Sequence, residues 1–292
     1  FIGDIQMRTF INILVFLFIS ITGINARADV LVLVHGYLAS ADSWEVTGIN
    51  SLLDANGWKR GGLISSAPVT AAPVLVGPGK DAANKVYVVD LPAEAPIIVQ
   101  TDQFLAMLAT IQALHPDEDL VIVGHSAGGI VARTALVRGN NHKVKALITI
   151  ASPHVGTTLA NRALKATDES GMFGGLKSFF GGSGYDTLRR SRGLLFDLAH
   201  PYPGSLLYWL NAQQHPDIKY VSVVRLDPVG FAGDELVPGY SQDMNNIPAI
   251  QGRSSVIITP AGHTLVAEDG TTLLQILNEL YATEPEQDDS VT

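Results

Sequence analysis

The chain has 292 residues, of which 19 are Lys or Arg and 28 are Asp or Glu, so its net charge is −9 with histidine neutral. An acidic chain without a basic block is poorly suited to phosphate backbones, so we do not expect nucleic acid as a partner. The sequence contains no cysteine, which excludes disulfides, thiolate nucleophiles and zinc–cysteine sites.

The first 28 residues are typical of a secretory signal peptide. A basic start at Met7-Arg8 precedes an apolar run over residues 10–21, and an A-x-A site ends at Ala28. We expect cleavage after Ala28 and a secreted or periplasmic protein. The alternative is an uncleaved membrane anchor, although the run is short for a span. Without these residues the chain has 292 − 28 = 264 residues, with 17 basic and 27 acidic side chains and a net charge of −10. That length suits one α/β domain.

After the signal peptide, β-branched segments alternate with helical segments, which predicts an α/β fold with a mostly parallel central sheet flanked by helices. We expect this domain to span residues 29–283 and the acidic tail, residues 284–292, to be disordered. A helix capped by Asp102 and another over Leu273–Leu280 are predicted from apolar residues at helical spacing. The predicted strands are Val30–Val34, Lys85–Val89, Leu120–Val123, Val144–Ile150, Tyr220–Val224 and Ser255–Ile258.

Two segments interrupt the alternation of strands and helices. Residues 61–80 are rich in Gly, Pro, Ala and Ser and are predicted to form a loop or an irregular excursion near the first strand. The second segment, at about residues 156–217, is too long for a simple loop and predicts a lid or cap insertion. It contains an apolar stripe bracketed by glycines, which is suited to cover an acyl-binding pocket as a mobile lid or, alternatively, to pack permanently under the cap. The stripe comprises Met172, Phe173, Leu176, Phe179 and Phe180.

The pentapeptide Gly124-His125-Ser126-Ala127-Gly128 lies between a predicted strand and a predicted helix. This pattern predicts a sharp turn, a nucleophile elbow, in which small residues two before and two after the serine let strand and helix pass closely. The turn exposes the serine hydroxyl and leaves the amide of the next residue free at a helix N-terminus. We therefore interpret Ser126 as a catalytic nucleophile.

A serine hydroxyl needs a base to accept its proton and a third group to orient that base. In a sheet of this type the chain order is nucleophile, acid, base, with the base on a loop after the last strand. His263 occupies that place, so we predict it to be the base. Three other histidines, His35, His125 and His154, are interpreted as structural, and four more, His115, His142, His200 and His215, as solvated.

The acid is expected after the strand that ends at Val224, where Asp227, Asp234 and Asp243 compete. Asp234 is preferred because the apolar pair and proline that follow can hold its loop toward the imidazole. Asp227 is the main alternative, but it precedes a proline and can simply form a turn, whereas Asp243 can act as a cap or lie in solvent.

An oxyanion formed at the substrate carbonyl usually needs two N–H donors. The amide of Ala127 is the first candidate. The second is expected after the first strand, where Gly36 permits a tight turn that directs the amide of Tyr37 at the site, with Leu38 as the alternative.

Taken in order, these motifs resemble the α/β-hydrolase superfamily, and more narrowly the bacterial triacylglycerol lipases and related esterases. The matching segments are Val34-His35-Gly36-Tyr37, Gly124–Gly129, the turn Ala151–Thr157, Asp234–Pro238 and Gly262-His263. The resemblance implies an α/β-hydrolase fold and hydrolysis of lipid esters, chiefly acylglycerols, through an acyl-enzyme at a lipid–water interface. No stable protein partner is implied, and no phosphate-binding loop supports a nucleotide cofactor.

The sequence also departs from these lipases. Many relatives bind calcium through an aspartate just after the base, where this chain has Thr264 and Leu265, so we do not expect a metal. The triad itself is also compatible with a short-chain carboxylesterase, a thioesterase or an acyltransferase. A non-enzymatic lipid-binding protein is a further alternative, but such a protein would be expected to lack a triad member, and none is missing.

Overall fold

The computed structural model describes residues 29–65, 74–139, 143–168, 184–227, 230 and 232–282. The predicted signal peptide, the acidic tail and the five residues of the apolar stripe lie outside these ranges. In chain order the elements are β1 (Asp29–Val34), α1 (Ser43–Val46), α2 (Ile49–Ala55), β2 (Trp58–Ser65), β3 (Val74–Val76), β4 (Asn84–Asp90), α3 (Ile97–Leu114), β5 (Asp119–His125), α4 (Ala127–Arg138), β6 (Val144–Ile150), α5 (Thr158–Asp168), α6 (Gly184–Arg190), α7 (Arg192–Leu198), α8 (Leu206–Asn211), β7 (Lys219–Leu226), α9 (Gly239–Gln242), a 3-10 turn (Met244–Asn246), β8 (Ser254–Pro260) and α10 (Ala267–Ala282).

The described strands form one eight-stranded sheet in the order β3-β2-β4-β1-β5-β6-β7-β8. Every neighbouring pair is parallel except β2 with β3. Strands β2, β3 and β4 lie on one side of β1, and β5 to β8 follow in chain order on the other side, so the direction in which strands are added reverses between β1 and β5. In open α/β sheets ligands bind at the carboxyl ends of the strands beside such a reversal. The predicted mostly parallel sheet is confirmed.

Strands β1 and β5 lie at the centre of the sheet and are buried almost throughout. A strand covered on both faces must carry apolar side chains at consecutive positions, which explains the unbroken runs of Val, Leu and Ile. Side chains such as Val32 and Ile122 pack with α3 and α4 on one face. Leu33 and Val123 pack with α1, α2 and α10 on the other.

Helix α3 begins five residues before the predicted cap Asp102, at Ile97. Asp102 lies inside the helix and forms an ion pair with Arg138 of α4 at 2.5 Å, so its carboxylate serves a helix contact instead of a cap. Among the described residues, α3 is the one helix long and apolar enough to cross a membrane. Its side chains Phe104 and Leu108 are buried in the core against the sheet, as in the core helix of a soluble domain.

The loop predicted over residues 61–80 is wrong in part. Strand β2 continues to Ser65, and β3 returns beside it over Val74–Val76. The backbone of Gly62 is in a conformation with φ of 157°, and a Cβ atom there would lie 2.3 Å from the carbonyl oxygen of Leu75. Here glycine therefore permits two strands to approach closely, a role that composition alone does not distinguish from a loop.

The segment predicted as an insertion, about residues 156–217, contains helices α5 to α8 among its described residues. Helix α7 contacts the sheet domain through Asp197, whose carboxylate accepts the N–H of Ile97 at the start of α3 at 2.8 Å. Burial raises the pKa of Asp197 to about 6.

Candidate active site

Ser126 lies between the end of β5 and the start of α4, at the point where the sheet order reverses. Its φ of 53° and ψ of −126° are a rare conformation for a residue with a side chain. The N–H of Ser126 donates to the carbonyl of Ile150 at 2.8 Å, which ties the turn to the neighbouring strand β6. The residue is 8% exposed. The structure therefore has the sharp turn that the pentapeptide predicts.

Glycines make this turn possible because three backbone segments meet around it. A Cβ atom on Gly124 would lie 2.5 Å from the Cα of Gly129, and one on Gly128 would lie 2.3 Å from the carbonyl oxygen of His35. Contacts this short do not occur for real Cβ atoms, so β5, α4 and the end of β1 can pack at these distances only with glycine at both positions.

The turn after β1 approaches the serine directly. A Cβ atom on Gly36 would lie 2.8 Å from the Cβ of Ser126, so the backbone that leads to Tyr37 passes beside the hydroxyl. Within the described part of the chain, the backbone N–H groups of Tyr37 and Ala127 donate no hydrogen bond. Leu38, the alternative donor, has a φ of 56° and is 48% exposed.

His263 contacts both predicted partners. The hydroxyl of Ser126 lies 2.8 Å from Nε2, and the carboxylate of Asp234 lies 3.0 Å from Nδ1. Since a carboxylate can only accept, Nδ1 carries the proton and Nε2 is free to accept the serine hydroxyl's proton. The three side chains form one hydrogen-bonded line across loops that follow β5, β7 and β8.

Asp234 is held as a charged acceptor by several donors. Its Oδ1 accepts the N–H groups of Leu236 and Val237 at 2.8 and 2.7 Å, and its Oδ2 accepts the side-chain amide of Gln242 at 3.0 Å. Burial alone raises the pKa of this carboxyl, but the hydrogen bond and charge of His263 and the two backbone N–H groups outweigh it and lower the pKa. The ionised form therefore faces the imidazole.

The structure separates the three competing aspartates. Asp243 caps the 3-10 turn by accepting the N–H of Asn245 at 2.8 Å. The backbone carbonyl of Asp227 accepts the N–H of Gly230, as in a turn. Asp234 is the one that the structure brings to His263.

Three residues that the sequence did not single out for this role hold His263 or Asp234 in place. The ring Nε2 of His125 donates to the carbonyl of His263 at 2.8 Å. The carboxylate of Glu235 accepts the N–H of His263, with its two oxygens at 3.2 and 3.3 Å. Gln242 donates to Asp234 and also accepts the backbone N–H of Arg225 at 2.8 Å. None of these contacts is local in sequence, so no periodicity or motif indicates them.

A buried ion pair lies behind this loop. Arg225 on β7 and Asp269 on α10 are both buried, and the guanidinium donates to the two carboxylate oxygens at 2.6 and 2.8 Å. The same guanidinium donates to the carbonyl of Thr264 at 3.3 Å, and Asp269 accepts the N–H of Val266 at 2.9 Å. The pair therefore connects β7 and α10 to the residues just after His263.

The turn Ala151–Thr157 supports the acid loop from the other side. The N–H of His154 donates to the carbonyl of Ser241 at 2.7 Å, and the hydroxyl of Ser241 donates to the carbonyl of Gly156 at 2.6 Å. Thr157 also donates to the carbonyl of Leu236. The turn thus acts on the site through the backbone around Asp234.

The structure confirms the predicted burial of some of the other histidines and contradicts the predicted exposure of two. His35 and His125, interpreted as structural, are buried. Burial, followed by the charge of His263, lowers the pKa of His125 to about 3. For His115 and His215 the prediction of solvated side chains is wrong, because both are buried. The ring of His115 forms a hydrogen bond with the hydroxyl of Tyr87 at 2.9 Å, and the ring of His215 forms one with the carbonyl of Gln213 at 2.9 Å. The polar residues that flank these histidines in sequence do not indicate such contacts. His142 lies outside the described ranges.

Within the described residues no group of three or more His, Cys, Asp or Glu side chains could hold a metal ion. At the position after the base, where relatives use an aspartate, the carbonyl of Thr264 accepts a hydrogen bond from Arg225.

Comparison with known proteins gives one family. The model of the alpha/beta hydrolase fold family matches residues 29–174, which is half of the chain and includes Tyr37, Ser126 and Ala127. Asp234 and His263 lie beyond the matched residues.

Two solved structures and one curated protein illustrate the likeness. The mature form of the Bacillus licheniformis lipase BlEst2 is similar over 87% of this chain and 92% of that chain, with 17% identity and a TM-score of 0.56. The product of the gene lin2722 from Listeria innocua is similar over 90% and 97%, with 15% identity and a TM-score of 0.56. A lysosomal thioesterase PPT2 homolog from Drosophila melanogaster is 39% identical over 57 residues, 20% of this chain and 19% of that protein. The match thus spans about a fifth of the thioesterase homolog's length.

Proposed function

Because this chain belongs to the alpha/beta hydrolase fold family, we propose that it is a secreted serine hydrolase that cleaves carboxylic esters, with acylglycerols as substrates. The observation that carries this proposal is the hydrogen-bonded line Ser126, His263, Asp234, together with the amides of Tyr37 and Ala127, which donate to no group among the described residues. A nucleophile, its base, an orienting acid and two oxyanion donors are the parts that acyl transfer needs.

In this mechanism the hydroxyl oxygen of Ser126 attacks the ester carbonyl carbon while Nε2 of His263 takes its proton. The ionised Asp234 stabilises the imidazolium through Nδ1–H. The amides of Tyr37 and Ala127 donate to the carbonyl oxygen as it becomes negative, and one such donor lowers the barrier by on the order of 3 kcal/mol. His263 then protonates the leaving alcohol, and a water activated by the same imidazole releases the acid and restores Ser126.

Exposed apolar side chains on the oxyanion turn, at the start of α3 and on α7 favour an apolar acyl group. Leu38 follows the oxyanion turn, and Ile98 and Val99 lie in the first turn of α3 at the carboxyl end of β4; all three are 38–48% exposed. Phe196 of α7, also exposed, is adjacent to Asp197, which binds the start of α3. The structural likeness to a lipase is consistent with this choice of substrate.

A thioester is the second candidate substrate, favoured by the short match to a thioesterase homolog. The same five groups serve either bond, since both reactions pass through a tetrahedral oxyanion. A short-chain carboxylesterase would also keep every catalytic assignment and differ only in the acyl pocket.

A fluorescent fluorophosphonate tests the serine assignment. The wild-type protein should be labelled and Ser126→Ala should not, while Ser152→Ala, which changes a second buried serine near the turn, should label normally. Circular dichroism of both variants checks that they are folded. Labelling that persists in Ser126→Ala, or no labelling of wild type, would refute the proposal.

The substrate class is tested on matched p-nitrophenyl butyrate, p-nitrophenyl palmitate and palmitoyl thioester. We expect the palmitate ester to have the highest kcat/KM. Activity on the butyrate ester alone would make the protein a short-chain carboxylesterase, and a preference for the thioester would make it a thioesterase.

The predicted signal peptide is tested by the intact mass of the protein recovered from the bacterial periplasm. A mass that includes residues 7–28 would contradict cleavage after Ala28.

A further inference from the structure

Among the residues that the structure describes, two arginines are completely buried, and they differ in their partners. Arg225 is paired with Asp269. Arg133, in the middle of α4, donates through Nη2 to the side-chain oxygen of Asn211 at 2.5 Å. Its Nε and Nη1 are buried and have no hydrogen-bond partner, and no carboxylate among the described residues forms an ion pair with it.

A buried guanidinium without a counter-charge is unfavourable. Burial lowers the pKa of Arg133 to about 9, so the side chain still carries its proton at neutral pH. Water can accept hydrogen bonds from the free N–H groups, but it leaves the buried charge uncompensated. A monoanion compensates the charge and accepts the hydrogen bonds as well.

His154 shares the partner Asn211 with Arg133. His154 is fully buried, and Asn211, which accepts from Arg133, also donates to the carbonyl of His154 at 3.1 Å. Nε2 of His154 lies 3.0 Å from the hydroxyl of Thr149, whereas Nδ1 is buried without a partner. If the hydroxyl donates to Nε2, the neutral ring presents Nδ1–H as a donor.

His215 completes the polar surroundings. Nδ1 donates to the carbonyl of Gln213, and the buried Nε2 has no partner. Burial is the largest cause that lowers the pKa values of His154 and His215, and the positive charge of Arg133 is the second largest. Both rings are therefore neutral at pH 7, and Arg133 carries the charge of the cluster.

We propose that Arg133 and His154 bind a small inorganic monoanion of the size of chloride, enclosed between α4, α8 and the turn after β6. The bound anion would link the helix that follows Ser126 to the turn that supports the Asp234 loop. The site is separate from the hydrogen-bonded line of the proposed triad and does not depend on the proposed reaction.

Thermal unfolding of the full chain in chloride and gluconate tests this site. Sodium gluconate is replaced stepwise by sodium chloride at constant ionic strength, because gluconate is too large for a fully buried site. We expect the Tm to rise saturably with chloride, by about 5 °C at a hundredfold excess over Kd. Arg133→Met should lose this response, and Arg138→Met, which removes an arginine from the solvent-facing side of the same helix, should keep it.

A crystal soaked in sodium bromide provides a direct readout on the wild-type protein, whether or not Arg133→Met folds. An anomalous peak in contact with Nε or Nη1 of Arg133 supports the proposal. A water in that place with no halide peak overturns it, and so does a chloride response of the Tm that persists in Arg133→Met.

Discussion

The nucleophile and the acid–base pair are held in place by different forces. Around Ser126 the geometry is set by backbone contacts so close that Gly36, Gly124 and Gly128 admit no Cβ atom. Around His263 and Asp234 it is set by hydrogen bonds from side chains distant in sequence and by the buried pair Arg225–Asp269. One side of the site is fixed by steric fit and the other by polar contacts.

This difference determines how each side responds to change. A steric contact tolerates no added atom, whereas a polar network tolerates substitutions that keep its donors and acceptors. It also determines what a local motif can indicate, since glycine spacing is visible in five residues and the polar network is spread over residues 125–269.

The largest expected effect is on the acid. Asp234→Asn keeps the shape of the side chain but removes the acceptor that fixes the Nδ1–H tautomer of His263, so kcat should fall about 10⁴-fold. The matched variant Asp227→Asn should stay within about twofold of wild type, since its role is in a turn. Steady-state hydrolysis of a soluble ester measures both, and the reverse outcome would assign the acid to Asp227.

The next largest effect is on the buried ion pair. Arg225→Met or Asp269→Leu leaves one buried charge unpaired and should lower the free energy of unfolding by about 3–5 kcal/mol. The double variant should be less destabilised than the sum of the two single ones, because it leaves no unpaired charge. Urea unfolding of all three variants measures this, and simple additivity would show that the pair is not coupled.

A smaller effect is expected on the steric side. Gly128→Ala places a methyl group against the carbonyl of His35 and should cost about 1–3 kcal/mol of stability. Gly204→Ala is the control, because nothing lies within 4 Å of the added Cβ and its φ of 93° alone should cost about 1 kcal/mol. Equal losses in the two variants would show that α4 can move away from β1.

A still smaller effect is expected at Glu235, which is exposed and accepts the N–H of His263. Glu235→Gln retains an acceptor oxygen at the same place, so kcat/KM should change by no more than about twofold. Glu235→Ala is the comparison, since it removes the acceptor. A large loss in Glu235→Gln would show that the charge of Glu235 acts on His263 directly.

The smallest effect concerns pH. Because burial keeps the pKa of His125 at about 3, this ring is neutral throughout the range in which an ester assay is run. His125→Gln can still donate to the carbonyl of His263. The acid limb of the kcat/KM profile should therefore keep its midpoint, and a displaced midpoint would mean that His125 titrates with the site.

The sequence predicted the features that arise from local patterns. Alternating strand and helix segments gave the parallel sheet, and the family match supports the α/β-hydrolase fold. The pentapeptide around Ser126 predicted its turn because only that backbone explains glycine at both flanking positions. Chain order singled out His263, which the structure brings to Ser126. The apolar pair and proline after Asp234 singled out that aspartate among three, and the structure brings it to His263.

Features that arise from long-range contacts escaped prediction. Strand β2 depends on pairing with β4, and the early start of α3 depends on the N–H of Ile97 reaching Asp197 on a distant helix. Buried His115 and His215 have polar neighbours in sequence, so flanking residues suggest solvent. The catalytic roles remain predictions for the experiments described, and the lid over residues 172–180 remains a prediction from the sequence.

The backbone of Ser126 also limits which nucleophiles evolution can place at this turn. At a φ of 53° a β-branched side chain is strongly disfavoured, so threonine cannot replace serine here although it carries the same hydroxyl group. Cysteine has no branch at Cβ and fits the same backbone. The backbone therefore favours a substitution that exchanges the hydroxyl oxygen for sulfur over one that adds a methyl group at Cβ. Descendants of this chain can acquire a thiol nucleophile more easily than a threonine nucleophile.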